Sequence, residues 1–379
     1  MTTGGGVRFV HTSDWQLGMT RHFLAGEAQS RYSGARLDAV RAIGDLARDR
    51  GCDFVVVAGD VFDSNLLSTQ TVRRALDALS SIGVPVYLLP GNHDALDAST
   101  IYRSDVFVAE CPPGVQVLDG SGAVSVGPGV ELLAAPLTSR APLSDPAAAV
   151  LDGVQADGTR RILVAHGQVD VLDPDGCEPA SIRLARLEEA LESGAVHYVA
   201  LGDRHSRLNV GRSGAVHYSG SPEVTAFRDR RPGDVLVVDL PEQGPVRVEA
   251  VHVGAWRFVD VGRDVCTADD VASLDEELSS LRAADRTVVR HALTGTLSLT
   301  DHAALQEVLG RHTDRFAALF EWAPQTDLVV YVDEGELSDL GVSGFVGEAV
   351  RRLGEQAGED SQAGDALALL YRLARTGTR

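Results

Sequence analysis

Val84-Pro85-Val86-Tyr87-Leu88-Leu89-Pro90-Gly91-Asn92-His93-Asp94 is the stretch on which the fold of this chain turns. Its β-branched and apolar first half reads as a buried strand, and Pro90-Gly91 then hands three polar side chains to a loop. Open α/β sheets place their chemistry at that edge. The same pattern recurs outward from this stretch. Val7–His11 leads into Thr12-Ser13-Asp14-Trp15-Gln16, and Phe54–Ala58 leads into Gly59-Asp60-Val61-Phe62-Asp63. Ile162–Ala165 leads into His166-Gly167, and Tyr198–Leu201 into Gly202-Asp203-Arg204-His205. Apolar runs that each stop at Asp, Asn or His are hard to attribute to packing alone.

Between these strands the periodicity is helical. Leu37, Val40, Ile43 and Leu46 share one face of a helix expected over Ala35–Arg50, which Gly51 stops. A second helix is expected over Ser68–Ile82, capped by Ser68-Thr69 and ended by Gly83. The resulting βαβαβ unit implies a parallel sheet with right-handed crossovers. From Val115 to Leu137 short strands broken by Gly-rich turns suggest hairpins or a second sheet. A strand at Arg161–Ala165, a helix over Ala180–Ser193 and strands near 196–201, 215–219 and 234–240 complete a two-layered domain assigned to residues 1–250.

Residues 251–335 read as a small α/β capping domain: a strand over Trp256–Val261, a helix over Thr267–Leu281, a strand over Thr287–Thr300, a helix to Phe320 and a strand over Leu328–Val332. Residues 336–379 form a C-terminal helical segment. A helix is expected from Leu337 to Leu353, then an acidic hinge over Gly354–Gly364, then a short helix over Asp365–Leu373. The pattern leaves two readings open, docking on the chain's own surface or in a groove of a partner.

Composition narrows the partners. The chain has 379 residues, 34 basic against 54 acidic, and no lysine, so its formal charge of −20 excludes a general polyanion-binding surface. Nucleic-acid contact would need local arginines. Arg204, Arg207 and Arg212, with Arg228, Arg230 and Arg231, could hold DNA phosphates or form a solvated face paired with carboxylates. Cys52, Cys111, Cys177 and Cys266 lack metal-type spacing and read as small buried hydrophobes of a reducing compartment. No signal peptide and no apolar run of ~20 residues is evident, so a cytoplasmic enzyme with no membrane association is expected.

The strand-end side chains suit metal chemistry. Asp14 and Gln16 can reach one cation together, Asp60 can bridge two, and Asn92, His166, Asp203 and His205 supply the remaining donors. Two divalent cations about 3.5–4 Å apart polarise a phosphate and lower the pKa of a bridging water. His93 is expected to act as general acid toward the leaving oxygen, with Asp94 as the nearest group to orient it. Asp63 reads as a loop-fixing carboxylate, His11 as a support for Asp14, and His197 and His217 as core histidines.

The order Asp14-x-Gln16, Gly59-Asp60-x-x-Asp63, Gly91-Asn92-His93-Asp94, His166, Gly202-Asp203-x-His205 resembles the calcineurin-like metallophosphoesterase superfamily, whose pattern is DxH, GDxxD, GNHD or GNHE, H, GHxH. His11-Thr12-Ser13-Asp14-Trp15 and Tyr218-Ser219-Gly220-Ser221-Pro222, followed by Phe227, are similar to the SbcD-like DNA-repair exonuclease subunits within it. The resemblance implies a two-layered β-sandwich flanked by helices, the metallophosphoesterase fold. It also implies two metals, one held by Asp14, Gln16, Asp60 and His205, the other by Asp60, Asn92, His166 and Asp203. DNA as substrate, an SbcC-like coiled-coil ATPase as partner and a homodimer follow from the same resemblance.

Gln16 and Asp203 stand where the family pattern has histidines. Each metal would trade an imidazole for an oxygen donor, which favours Mn²⁺, or Mg²⁺, over Zn²⁺. Two other functions are compatible with the residues: a metallophosphoesterase acting on small phosphodiesters or nucleotides, and a non-catalytic scaffold with a degenerate metal site. Cleavage of a small phosphodiester but not DNA would mark the first, and failure to retain metal the second.

Overall fold

A computed structural model of the chain describes residues 6–120, 122–173, 180–331 and 345–356, with short stretches between 362 and 370. Contacts divide it into two compact units, Met1–Arg21 with Gln29–Trp256, and His22–Ala28 with Arg257–Arg379.

In the first unit, β1 (Val7–Thr12), β2 (Phe54–Val57), β3 (Val86–Leu88) and β4 (Val115–Val117) lie side by side in parallel. Helices α1 (Glu27–Asp49), α2 (Thr69–Ser80) and α3 (Asp105–Glu110) are their crossovers. Next come β5 (Gly122–Gly127), β6 (Val130–Ala135), α4 (Ala148–Leu151), β7 (Arg160–His166), α5 (Leu184–Glu192), β8 (Tyr198–Gly202), β9 (Leu208–Val210), β10 (Val216–Tyr218), β11 (Asp234–Leu240) and β12 (Arg247–His252). They assemble into two six-stranded sheets, β12-β11-β1-β2-β3-β4 and β5-β6-β7-β8-β10-β9.

Strand alternation decides the layering. Phe9, Phe54 and Val56 of the first sheet pack with Leu132, Ile162, Val164 and Tyr198 of the second in one buried cluster. The opposite-facing Val10, Val55 and Val57 pack with Val40, Ile43, Val72 and Leu76 of α1 and α2. Leu163, Val199 and Leu201 turn outward onto Leu187 of α5. The central strands of both sheets are therefore covered on both faces, which explains why Phe54–Val57, Ile162–Ala165 and Tyr198–Leu201 read as unbroken apolar runs.

Several boundaries differ from the sequence expectation. Helix α1 begins at Glu27 rather than near residue 35. The polar, Gly-containing run Ser30–Gly34 has poor helix propensity, but Tyr32 and Arg36 are buried there, and tertiary contact overrides propensity. β4 is not part of a hairpin: it joins the first sheet in parallel through α3, and only β5–β6 form the expected antiparallel pair. Helix α2 matches closely, with the Ser68 hydroxyl accepting from the Thr71 amide at its N-terminus.

In the second unit, β13 (Arg257–Asp264), α6 (Ala268–Ser280), β14 (Thr287–Ser298), α7 (Leu299–Thr313), β15 (Ala318–Glu321) and β16 (Asp327–Tyr331) build a four-stranded sheet. The twelve-residue β14 pairs in parallel with the other three. A capping box between Thr267 and Asp270 starts α6. The helix expected to reach Phe320 ends at Thr313, and Ala318–Glu321 is a short strand that its length hid.

Helix α8 (Phe345–Gln356) buries Val350 against Leu299, Ala303, Val330 and Leu367, with Leu353 packed alongside. This face docks on the chain itself. The start of the expected helix at Leu337, and parts of the hinge and final helix, lie outside the described residues. Among the described residues, no helix is long and apolar enough to cross a membrane.

Candidate metal centre

The loops that leave β1, β2, β3, β7 and β8 meet, and the backbone is bent to bring them together. The Asp14 amide donates to the Gly59 carbonyl and the Gln16 amide to the Asp60 carbonyl, both at 3.0 Å. Asp14, Gln16, Asp60 and Asp203 have φ of 52°, 50°, 54° and 99°, a region L-residues seldom adopt. Of the described non-glycine residues with positive φ, only Ala283 lies elsewhere. Strain of this kind persists where surrounding structure over-determines it, and it clusters at functional sites.

Two glycines permit the close approach. A Cβ on Gly59 would stand 2.0 Å from His166 Nδ1, and one on Gly91 would stand 2.3 Å from Asp60 Oδ1. The Gly-Asp and Gly-Asn pairs are thus a packing requirement.

Ligand atoms of Asp14, Asp60 and His166 lie within 4.8 Å of one another, and all three residues are buried. His166 Nε2 stands 2.8 Å from Asn92 Oδ1, 3.6 Å from Asp60 Oδ1 and 3.9 Å from Asp203 Oδ1. His205 Nε2 is 3.7 Å from Asp14 Oδ1, and Gln16 Nε2 donates to Asp60 Oδ2 at 2.8 Å. All seven residues singled out from the sequence as metal donors therefore fall in one network.

Further hydrogen bonds fix four of them, His166, Asp14, Asp203 and His205. Ala58 O, 2.8 Å from His166 Nδ1, can only accept, so Nδ1 carries hydrogen and Nε2 faces the carboxylates. Ser13 Oγ donates to Asp14 Oδ2 at 2.5 Å, and the Asp203 amide lies 3.2 Å from both Asp14 oxygens. His205 Nδ1 hydrogen-bonds the Thr225 hydroxyl, which donates at 2.8 Å to Asp229.

His93 lies at the rim, with Nε2 4.0 Å from Asp60 Oδ2. The group that orients it is the Asp63 carbonyl, 2.9 Å from Nδ1, and not Asp94 as expected. Asp94 points away into the loop core. It accepts from the Gly91 amide at 2.7 Å, the Phe62 amide at 3.1 Å and the Tyr102 hydroxyl at 2.6 Å. Burial, reinforced by Asp60, pushes its carboxyl up to about 6. Asp94 shapes the Gly91–Asp94 loop and touches no reacting atom. Asp63 contributes its carbonyl.

His11, expected to support Asp14, bonds the β8 strand instead, 3.0 Å from Tyr198 Oη and 3.2 Å from Leu201 O, and burial lowers its pKa to about 3. His197 and His217 are partly buried away from the cluster, on the Arg161 amide and the Gly214 carbonyl. The support Thr225 carries no sequence signal, since it reaches His205 across a separation of twenty residues.

The donor set fits cations. Asp14 and Asp60 are at most 2% exposed, with no arginine paired to either among the described residues. Burial pushes the Asp14 carboxyl above its ordinary pKa. Gln16 Oε1 is buried without a hydrogen-bond partner, an acceptor that a cation would satisfy. Carboxylate, amide and imidazole are the donors hard and borderline divalent ions take.

The SbcD subunit of the SbcCD nuclease of Bacillus subtilis is 36% identical over 95 residues, which is 24% of this chain and 23% of that protein. The DNA double-strand break repair protein Mre11 of Thermoplasma acidophilum is 24% identical over 295 residues, 73% of each chain. The chain thus spans under a quarter of the first relative's length and about three quarters of the second's. Among solved structures, TT1561 of Thermus thermophilus aligns with a TM-score of 0.41 at 13% identity, over 65% of this chain and 99% of that one. The family model for calcineurin-like phosphoesterase matches residues 7–238, which hold every residue of the centre, and the chain belongs to that family.

Proposed function

We propose that this phosphoesterase is a Mn²⁺-dependent DNA nuclease that processes DNA ends. The observation that carries the reading is the cluster of carboxylates, amides and imidazoles around the buried Asp14, Asp60 and His166, with no arginine paired to Asp14 or Asp60 among the described residues. In such a site Asp14, Gln16, Asp60 and His205 would hold one cation, and Asp60, Asn92, His166 and Asp203 the other. When bound, the pair supplies Lewis acidity toward the phosphate and a water of lowered pKa.

The protein's own groups do the rest. Gly91–Asp94 is braced by the three hydrogen bonds Asp94 accepts, which fixes Asn92 and His93 together. His93 Nδ1–H donates to the Asp63 carbonyl, so Nε2 is the atom that faces the site, and the doubly protonated imidazolium would hand its Nε2 proton to the leaving oxygen. His166 presents Nε2 because Ala58 holds Nδ1. Oxygen donors at positions 16 and 203 favour Mn²⁺ or Mg²⁺.

The names of the relatives, a subunit of the SbcCD nuclease and a DNA double-strand break repair protein, support DNA as substrate. A coiled-coil ATPase of the SbcC kind would supply the positive surface that a chain of charge −20 lacks. A homodimer and a cytoplasmic location belong to the same reading, as does the division into a nuclease domain (1–250), a capping domain (251–335) and a C-terminal segment (336–379). The test is incubation of the purified chain with linear DNA and Mn²⁺, with and without such an ATPase. Degradation that Asp60→Asn abolishes is expected; its absence under both conditions ends the nuclease reading.

A further inference from the structure

A cavity of about 400 Å³ has Asp203 and His205 of the centre in its wall, together with Arg204, Ser206, Arg228 and Asp229. Its two guanidiniums are unusual in so acidic a chain. Arg204 Nε is buried with no hydrogen-bond partner, and neither arginine forms an ion pair among the described residues. Arg207, two residues from His205, is by contrast neutralised by Asp234 at 3.0 Å.

The carboxylate next to Arg228 in sequence is already committed, and the one next to Arg204, Asp203, belongs to the metal centre. Asp229 Oδ2 accepts from the Thr225 amide at 2.9 Å, the Thr225 hydroxyl at 2.8 Å and the Ala226 amide at 2.8 Å. Because the same hydroxyl bonds His205 Nδ1, one carboxylate ties the arginine-bearing wall to a residue of the metal centre. A cavity with two guanidiniums outside any ion pair among the described residues, linked through Asp229 and Thr225 to His205, calls for an anion with several acceptor oxygens.

We propose that this cavity is a second phosphate subsite, in which Arg204 and Arg228 take the backbone phosphate adjacent to the scissile one. The inference rests on the nucleic-acid reading above and sharpens it. The chain would select a strand with consecutive phosphates, and a diester with a single phosphate would leave the subsite unused. Arginine serves here better than lysine because its planar fork can meet two phosphate oxygens at once.

Arg228→Ala is the main variant, since this residue is exposed, and Arg228→Lys keeps the charge. The assay compares a single-stranded oligonucleotide with bis-p-nitrophenyl phosphate in Mn²⁺ across a salt series. For Arg228→Ala, kcat/KM on the oligonucleotide should fall about tenfold further than on the small diester, and the slope against log salt should flatten by about 0.7. Arg228→Lys should retain the slope and recover only part of the rate. Equal losses on both substrates, or an unchanged slope, overturn the subsite. If the wild-type chain cleaves the small diester but not DNA, the nuclease reading fails, and anisotropy of a labelled oligonucleotide on metal-free protein decides the subsite alone. Binding weakened about tenfold by Arg228→Ala sustains it; equal or undetectable binding overturns it.

Discussion

Gln16 turns its side-chain nitrogen to Asp60 Oδ2 at 2.8 Å and leaves its own Oε1 buried without a partner. An unsatisfied buried acceptor costs about 1–3 kcal/mol, so the arrangement is poor for stability and suited to a cation. Gln16→His should therefore shift metal choice toward Zn²⁺. The ratio of Zn²⁺ to Mn²⁺ affinity is expected to rise about tenfold or more. Competition titration of the metal-free chain measures it, and an unchanged ratio would place Gln16 outside the coordination sphere.

His166 gives the centre a proton-linked affinity. Burial opposes charge on this imidazole, but Asp60, Asp14 and Asp203 outweigh it and raise its pKa from 6.5 to about 9. In the metal-free chain this charge contributes stability that is fully present below pH 6.5 and lost as pH rises through about 9. A cation on Nε2 must displace the proton, so its apparent affinity should fall about tenfold per pH unit below that value. Calorimetry of Mn²⁺ binding at pH 7 in two buffers of different protonation enthalpy should show about one proton released. Release of none would remove His166 from the ligands.

Arg36 braces two loops from behind. Its guanidinium is only 2% exposed, donates to Trp15 O at 2.8 Å and Val224 O at 2.9 Å, and lies 4.8 Å from the Tyr32 ring centroid. Trp15 separates Asp14 from Gln16, and Val224 precedes the Thr225 that holds His205. Arg36→Met should cost on the order of 1–3 kcal/mol in denaturant unfolding, because the buried Trp15 carbonyl loses its donor while the Val224 carbonyl keeps only the Tyr32 hydroxyl. It should also weaken Mn²⁺ binding more than an equally destabilising core change such as Ile43→Ala. Equal metal affinity in the two variants would reduce Arg36 to a purely structural role.

Gly91→Ala should disable the centre without unfolding the sheets. Its Cβ would enter the space of Asp60 Oδ1, at 2.3 Å, and of the Asp60 amide, at 2.5 Å. Neither can yield while Asp60 Oδ1 accepts from the His93 amide at 2.9 Å. Loss of phosphodiesterase activity by about 100-fold or more is expected, with the far-ultraviolet circular dichroism retained. Activity within threefold of wild type would show that the Asp60 loop adapts.

The central strands of the first unit were legible because strands covered on both faces need continuous apolar runs, and Phe54–Val57, Ile162–Ala165 and Tyr198–Leu201 supply them. Helix α2 was legible from Ser68 and Gly83. The start of α1 was not, because Tyr32 and Arg36 owe their helical place to contacts with Met19 and Val224. β15 was lost inside an expected helix, since four residues are too few to show a period.

By itself the sequence determined which side chains stand at the strand ends, because apolar runs closed by Gly-Asp, Gly-Asn or His fix a residue's place on its own strand. Tertiary structure alone decided what those side chains meet. That Asp63 rather than Asp94 orients His93, that Asp229 reaches His205 through Thr225, and that Arg204 and Arg228 stand outside any ion pair among the described residues all depend on how separate loops pack. Hydrogen bonds and charge pairing act through distance in space, and no spacing along the chain encodes them.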